Sequence, residues 1–297
     1  MVVASAPAGA ARSGASRRER LLTALLLLPA GAWYLGLLVA PIIIVFVYSF
    51  GTRDPNGGYA PALSLDNYAI VFQRPAPFIT SILLALSGTA LCLLVAFPLA
   101  YFIASRAGKR KGLLIILLVI PFWTSFLIRT IAWLTILGPR GVSGILEGIT
   151  GRDIQLLGTP IAVLIGIVYN YLPLMVFPLY VTLERLDRTL LEASKDLGAG
   201  RWATFRQVTL PIIWPGLITG SILVFIPLMG EFVIPAILGN GKVFLIGNVL
   251  SLDFLSSRNW PAGSAKAVVL IGIMLVSVTF YLWITNRGRK TRDVSVL

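Results

Sequence analysis

The side chains that carry most enzymatic chemistry are scarce in this 297-residue sequence. It contains no histidine and a single cysteine, Cys92, which lies inside an apolar run. This composition excludes His-based acid–base catalysis, a disulfide framework and His/Cys metal sites. We therefore expect no catalytic residue, no cofactor and no metal, so that function must reside in isolated charges and polar loops.

Three charged residues are candidates for a functional site: Asp253 lies in the external loop between two apolar stretches, and Arg129 and Glu231 lie inside stretches long and apolar enough to span a membrane. A charge at such a position is costly unless it faces a cavity, a partner or a solute. Glu231 either lines a translocation path and favours a cation, or forms a structural ion pair with Arg129 or Lys266. For Arg129 we favour a structural partner in the bundle interior over a gate. Asp253 is the candidate for a further acid on the path.

Two short motifs imitate catalytic sites. Residues 141–144 read GVSG, the nucleophile motif of intramembrane serine proteases, but that chemistry needs a histidine base that this sequence lacks. Residues 239–242, GNGK, resemble part of a phosphate-binding loop, but Val243 stands where a Ser or Thr is required. The chain is therefore expected to draw its energy from a partner.

The longest polar interruption between apolar stretches is residues 184–211, ERLDRTLLEASKDLGAGRWATFRQVTLP. Its leucines recur near helical spacing, with charged residues on the opposite arc. Gly198 and Gly200 mark a turn, and Trp202 and Phe205 provide large apolar anchors in the segment that follows. The pattern predicts two short helices joined at a glycine elbow and forming a docking surface. The alternative is a solvated loop between two spans.

Seven residues of this segment match the signature EAA-x3-G-x9-I-x-L-P, with Ser in place of the third Ala and Val in place of Ile. They are Glu192, Ala193, Ser194, Gly198, Val208, Leu210 and Pro211. The chain thus resembles the membrane subunits of bacterial ABC importers. The resemblance implies that these seven residues couple the chain to an ATP-hydrolysing subunit, with a cytoplasmic coupling helix seated in a groove of that partner. Leu210 and Pro211 are then expected to end the loop and start the fifth span.

Three further stretches are similar to the spermidine/putrescine permease family within those importers. They are residues 122–139, residues 229–239 with the sequence MGEFVIPAILG, and residues 257–261 with the sequence SRNWP. In the last of them Asn259 stands where the family usually has Asp, which weakens the polyamine assignment. The resemblance covers roughly residues 21–283.

The composition is that of an integral membrane protein: 57% of residues are hydrophobic, 12% are charged and the mean hydropathy is +0.88. We predict an all-α fold with spans at 21–50, 79–105, 112–137, 159–183, 212–238 and 262–283. Prolines in these spans suggest a kinked, packed bundle, and Gly216 and Gly220 should let helices approach closely. Residues 1–20 are predicted to be a disordered cytoplasmic N-terminus, 21–286 the permease domain and 287–297 a cytoplasmic tail. A signal peptide at the N-terminus is the less favoured interpretation, since its apolar run reaches spanning length.

The charge pattern predicts the orientation. Lys and Arg cluster at residues 12–20, 106–111, 185–206 and 287–292, all on one side of the predicted spans. The positive-inside rule makes that side cytoplasmic, so both termini and the 184–211 loop should be cytoplasmic. The net charge of +13 therefore reflects membrane topology, and we expect no nucleic-acid partner.

The resemblance implies a six-helix, MetI-like transmembrane subunit of a type I ABC importer in the bacterial inner membrane. Its implied partners are two ATPase subunits, a second permease (a paralogue or a copy of itself), an extracytoplasmic substrate-binding protein, a small solute and membrane lipid. Polyamines are the favoured solute, with ferric ion, phosphonate or sulfate as alternatives. A secondary transporter or a channel is the alternative class, but neither accounts for the 184–211 loop.

Overall fold

The computed structural model describes residues 17–293, and it is almost entirely helical. The α-helices are α1 Arg17–Tyr34, α2 Ala40–Tyr48, α3 Asp66–Gln73, α4 Ala76–Ser105, α5 Lys111–Val119, α6 Phe126–Leu137, α7 Val142–Thr150, α8 Pro160–Glu184, α9 Arg188–Asp196, α10 Arg201–Thr204, α11 Leu210–Met229, α12 Val233–Leu238, α13 Ile246–Ser251 and α14 Trp260–Asp293. Gly108–Arg110 and Ile120–Trp123 are 3₁₀ turns, and Leu35–Val39, Phe205–Thr209 and Leu252–Ser256 are π-helical turns. Strands β1 Thr52–Arg53 and β2 Tyr59–Ala60 pair antiparallel, with Thr52 opposite Ala60.

The two predicted cytoplasmic ends fall partly outside this range. Residues 1–16 and 294–297 lie outside the described residues. Helix α1 begins at Arg17, within the stretch predicted to be disordered, and α14 continues to Asp293. Among the described residues, 17–47 form a compact unit of their own, and the apolar helix made by α1, the π-turn and α2 runs over Leu21–Tyr48.

Within the described residues, five helices are long and apolar enough to cross a membrane, and a bent pair brings the number to six if it counts as one span. The five unpaired candidate spans are Leu21–Tyr48, Ala76–Ser105, Pro160–Glu184, Arg201–Met229 and Trp260–Trp283. This architecture confirms an all-α membrane fold with the predicted order of spans.

The third predicted span, 112–137, is not a single straight helix. The segments Gly108–Trp123 and Phe126–Thr150 meet at 94°. Pro121 sits in the 3₁₀ turn that ends the first segment, and Thr124 and Ser125 take extended backbone angles. Proline cannot donate to the helical ladder, so the direction changes here while the sequence stays apolar.

The fifth predicted span, 212–238, is also divided. Helix α11 ends at Met229, and α12 begins at Val233 after a break at Gly230 and Glu231. Glu231 therefore lies in the break between two helices and not inside one continuous span, as the prediction of a span at 212–238 implied. The correction follows from Pro227 and Gly230, which weaken the helix at this point.

The core of the bundle is the packing of α4, α8 and α11 around small residues. Gly216 of α11 is so close to α8 that a Cβ there would lie 2.6 Å from the backbone oxygen of Pro178 and 2.3 Å from Oγ1 of Thr182. At Gly220 a Cβ would lie 2.8 Å from Sδ of Met175. The prediction that these two glycines allow close approach is confirmed.

A short hairpin packs against the start of α14. The ring of Tyr48 stacks on that of Tyr59 at 4.2 Å and on that of Trp260 at 6.2 Å between centroids. Arg53 donates to the carbonyl oxygen of Ser257 at 2.7 Å. These contacts fix the β1–β2 loop to the N-terminal end of the last span.

Replacing Gly216 by Ala should destabilise the protein, because a methyl group there meets a backbone oxygen that cannot move aside. Overpacking of this kind costs about 1–3 kcal/mol. The matched control is Gly272→Ala in α14, where a Cβ would have no neighbour within 4 Å. Thermal unfolding of the detergent-solubilised chain should show a lower midpoint for Gly216→Ala only, and equal midpoints for the two variants would contradict the close contact.

Candidate functional site

The segment between α8 and α11 forms two short helices, as the sequence predicts. Asp187 begins α9: its Oδ1 accepts a hydrogen bond from the backbone N–H of Thr189 at 2.9 Å. Helix α9 ends at Asp196, and two residues later Gly198 has φ +80°. There the N–H of Ala199 donates to the carbonyl of Ser194 at 3.0 Å, and the N–H of Gly198 donates to that of Lys195 at 2.8 Å. This is a Schellman cap, whose left-handed position favours glycine.

The N-terminal cap carries a pH dependence. The N–H of Thr189 holds the pKa of the Asp187 carboxyl below its ordinary value. A lowered pKa means that the ionised carboxylate stabilises the folded loop above the pKa of the unfolded chain. That stabilisation is lost as the pH falls through the lowered pKa, so acidification should loosen the start of α9.

A hydroxyl pair joins the two short helices. Oγ of Ser194 lies 2.9 Å from Oγ1 of Thr204, which is buried. Ser194 is the position at which the signature normally has alanine, so the departure from the motif adds a hydrogen bond between α9 and α10. Next to it Phe205 stacks on Trp202 and meets Phe97 of α4 edge to face, both at 5.6 Å between centroids. The elbow is therefore fixed to the membrane helices.

The outer surface of the elbow carries large exposed apolar side chains. Leu197 is 88% exposed and Trp202 is 72% exposed. Glu192 and Ala193 are exposed beside them. Glu192 makes no ion pair with Lys195 in the described residues, and the side chain of its other expected partner, Arg188, lies outside them. A rigid helix pair with exposed apolar groups is typical of an interaction surface.

The last part of the signature lies where a π-turn joins α10 to α11. Val208 belongs to the π-turn Phe205–Thr209, and the helix runs without interruption from Arg201 to Met229. The N–H of Leu210 donates to the carbonyl of Phe205, five residues back, immediately before Pro211. The wider turn accommodates a proline that would clash with the carbonyl four residues earlier in an α-helix. Leu210 and Pro211 therefore begin α11, as predicted, but α11 continues the helical turns that start at Arg201, so the whole apolar helix is longer than predicted.

Glu231 is buried, at 6% exposure, and its carboxylate holds together three helices. Oε2 accepts a hydrogen bond from the hydroxyl of Tyr171 in α8 at 2.6 Å. Oε1 accepts from the backbone N–H groups of Val233 at 2.8 Å and Ile234 at 3.2 Å, the otherwise unpaired donors that begin α12. In the described residues Glu231 forms no ion pair, so the expected pairing with Arg129 or Lys266 is not the structural explanation.

Helix α13 approaches the same break from the other side. A Cβ on Gly247 would lie 2.7 Å from the backbone oxygens of Gly230 and of Glu231, so only glycine fits. The side-chain amide of Asn248 donates to the carbonyl of Phe232 at 3.0 Å. Ser81 of α4 accepts from the N–H of Ile246 at 2.8 Å. The break is therefore a packed junction of α4, α8, α11, α12 and α13.

The other two candidate charges, Asp253 and Arg129, have different surroundings. Asp253 forms an ion pair with Lys266 of α14. Arg129 is 9% exposed, and its guanidinium lies 4.7 Å from the ring centroid of Phe122. Its Nε and Nη1 are enclosed and have no hydrogen-bond acceptor among the described residues. The structure thus separates Glu231, Arg129 and Asp253 into three local environments.

Sequence reasoning missed Tyr171, Gly247 and Thr204. Tyr171 is one of three tyrosines in α8, and a buried hydroxyl needs a partner, so the sequence contained a weak signal. Gly247 and Thr204 carried no comparable signal, because their roles depend on backbone and hydroxyl groups that only folding brings near.

Comparison with known proteins agrees with this architecture. Residues 37–290 match the family described as the binding-protein-dependent transport system inner membrane component. The chain belongs to this family. It is a multi-pass membrane transport subunit.

Two relatives and one solved structure illustrate the similarity. The spermidine/putrescine transport system permease protein PotB of Haemophilus influenzae is 40% identical over 255 residues, covering 84% of this chain and 89% of that protein. PotB of Escherichia coli K12 is 37% identical over 261 residues, covering 86% and 94%. The crystal structure of a bacterial ABC transporter that imports the acidic polysaccharide alginate has a TM-score of 0.67 at 21% identity, covering 91% of this chain and 96% of that one. This likeness shows the fold.

Gly198→Ala should loosen the elbow, whereas Gly200→Ala should not. A Cβ finds open space at both positions, but Gly198 has φ +80° and Gly200 has φ −67°. The left-handed conformation costs a non-glycine residue about 1–2 kcal/mol, so exchange of the loop amides should accelerate about 5–30-fold. Hydrogen exchange followed by mass spectrometry measures this. Equal exchange in the two variants would show that the cap does not stabilise the loop.

Glu231→Ala should lower the unfolding midpoint more than Glu231→Gln. Alanine leaves the hydroxyl of Tyr171 and two backbone N–H groups without an acceptor, at roughly 1–3 kcal/mol for each buried donor. Glutamine keeps one oxygen for the two N–H groups. The exposed Glu147→Ala is the matched control. If Glu231→Ala unfolds at the temperature of that control, the carboxylate does not hold the junction together.

Proposed function

We propose that this chain is a permease subunit of an ABC importer for spermidine and putrescine. The polyamine assignment is supported by the relatives named as spermidine/putrescine permeases, at 37–40% identity over most of the chain. In the assembly that we propose, the pore lies between this chain and a second permease, which is a paralogue or a copy of it. Two ATPase subunits dock on one side, and a substrate-binding protein delivers the solute on the other.

The observation that carries the coupling role is the exposed apolar surface on the α9–α10 elbow. Leu197 and Trp202 project from a loop that is capped at both ends and joined by Ser194 and Thr204. We propose that Glu192, Ala193, Ser194, Gly198, Val208, Leu210 and Pro211 act as the ATPase-coupling segment. The distribution of Lys and Arg supports placing this segment and both termini in the cytoplasm.

Coupling then follows from the continuity of the helix Arg201–Met229. Closure of the ATPases on ATP binding would move the elbow, and the helix would carry that motion to the break at Glu231. The spans would rock between inward-facing and outward-facing states, and hydrolysis would reset them. This chain performs no covalent chemistry in the cycle.

For the translocation path, we propose Glu231, Arg129 and Asp253 as the charged groups that influence the solute. Oε2 of Glu231 accepts one side-chain hydrogen bond, from Tyr171, so a cationic amine reaching this junction would find an acceptor there. Asp253 is neutralised by Lys266. Its influence would therefore require that ion pair to open. Arg129 carries a positive charge that would repel a polyamine and so help to define the edge of its route.

The coupling role and the solute are tested together by replacing Leu197 with Asp. The full complex in proteoliposomes should import radiolabelled spermidine on addition of ATP and the binding protein, with competition by putrescine but not by sulfate. Leu197→Asp should reduce uptake and ATPase co-purification at least tenfold, because a charge replaces a buried apolar contact at the interface. Leu63→Asp is the control for co-purification, since Leu63 is a 97% exposed leucine on a different loop.

The docking surface and the polyamine assignment can fail separately in this experiment. Undiminished ATPase binding by Leu197→Asp would contradict the docking surface. ATP-driven uptake that sulfate blocks and putrescine does not would contradict the polyamine assignment while leaving the docking surface intact.

A further inference from the structure

A cavity of about 680 Å³ lies between the end of α4 and the α9–α10 elbow. One part of its wall is apolar and aromatic, with Phe97 and Tyr101 from α4 and Phe205 from the π-turn. Another part carries three cations from different segments: Arg106 at the end of α4, Lys195 of α9 and Arg201 of α10. The cavity is therefore amphipathic and is shared by a membrane helix and the proposed coupling loop.

The positive charge of this cavity is not neutralised. Its lining contains no carboxylate, and none of its three cations forms an ion pair within residues 17–293. A smaller neighbouring cavity of about 200 Å³ shows the contrast: Lys111 there pairs with Glu184 at 2.6 Å. Three like charges around one cavity create a positive potential that attracts an anion, although salt screens it because all three side chains are exposed.

The aromatic wall narrows the choice of anion. Phe97 and Tyr101 belong to Ala76–Ser105, a helix long and apolar enough to cross the membrane, and Arg106 follows directly at its end. Basic pockets beside the cytoplasmic ends of spans suit the phosphate groups of acidic lipids, and Arg binds phosphate through paired hydrogen bonds. A free phosphate ion would satisfy the cations but would leave the apolar wall uncovered.

We propose that this cavity binds the phosphate headgroup of an anionic phospholipid, with Arg106, Lys195 and Arg201 as its cationic ligands. The lipid would then bridge α4 and the elbow, so that the position of the elbow depends on the acidic lipid content of the membrane. Lipid binding itself needs neither ATPase nor solute. Only this effect on the elbow rests on the proposed function and on the proposed cytoplasmic side.

The test is lipid retention by the full chain in detergent, measured by native mass spectrometry. Wild-type protein should retain phosphatidylglycerol in preference to phosphatidylcholine. The double variant Arg106→Gln/Arg201→Gln should bind phosphatidylglycerol about 25-fold more weakly, at about fivefold for each charge removed. Lys109→Gln/Arg110→Gln removes the same charge from exposed residues outside the cavity and should bind as wild type does. Arg106→Lys/Arg201→Lys should restore most of the binding.

Any one of three results would overturn the proposal. If the wild-type protein retains phosphatidylglycerol and phosphatidylcholine equally, the proposal fails, and this result does not depend on whether the variants fold. Equal losses in the two Gln variants would indicate bulk attraction by the basic surface. Glycerol 1-phosphate that displaces the lipid at equal concentration would indicate a site for a soluble phosphate compound.

Discussion

The structure depends on the direct contact between α8 and α11. At Gly216 the two backbones approach so closely that no side chain fits between them, and at Gly220 the contact continues against Met175. Without a hydrophobic driving force between helices in lipid, such close packing is the main source of association. Because α11 continues into the elbow at one end and meets the Glu231 junction at the other, this one contact positions both candidate sites.

Charges within the bundle are satisfied by local groups. Glu231 uses one phenol and two backbone N–H groups, and Asp253 uses Lys266. Arg129 differs from both, since the ring of Phe122 is its neighbour and two of its nitrogens have no acceptor among the described residues. The unneutralised cations of the basic cavity lie elsewhere, at the end of α4 and on the elbow. Buried Glu231 therefore stabilises a helix junction, whereas the three cations of the cavity are exposed side chains without an ion pair among the described residues.

Hydropathy and a spaced motif were enough to predict the order of the apolar stretches and the two-helix elbow with its glycine turn. They did not predict where spans change direction. Thr124 and Gly230 interrupt helices in stretches that remain apolar on both sides. Hydropathy reports the composition of a stretch and not the direction of its backbone, so it could not reveal these breaks. The partner of Glu231 was equally inaccessible, because Tyr171 is 60 residues away in sequence. Pro211 correctly marked the first turn of α11, but nothing in the sequence indicated the π-turn that joins α11 to α10.

The continuous helix Arg201–Met229 can act as a lever with arms of unequal length on the two sides of its contact with α8. If the contact at Gly220 is the fulcrum, the arm toward Arg201 is about 28 Å and the arm toward Met229 is about 14 Å, at 1.5 Å per residue. A tilt of about 10° would then displace the elbow by about 5 Å and the Glu231 junction by about half as much. In the proposed transport cycle, such a lever would convert a long displacement of the elbow into a shorter displacement with greater force at the Glu231 junction.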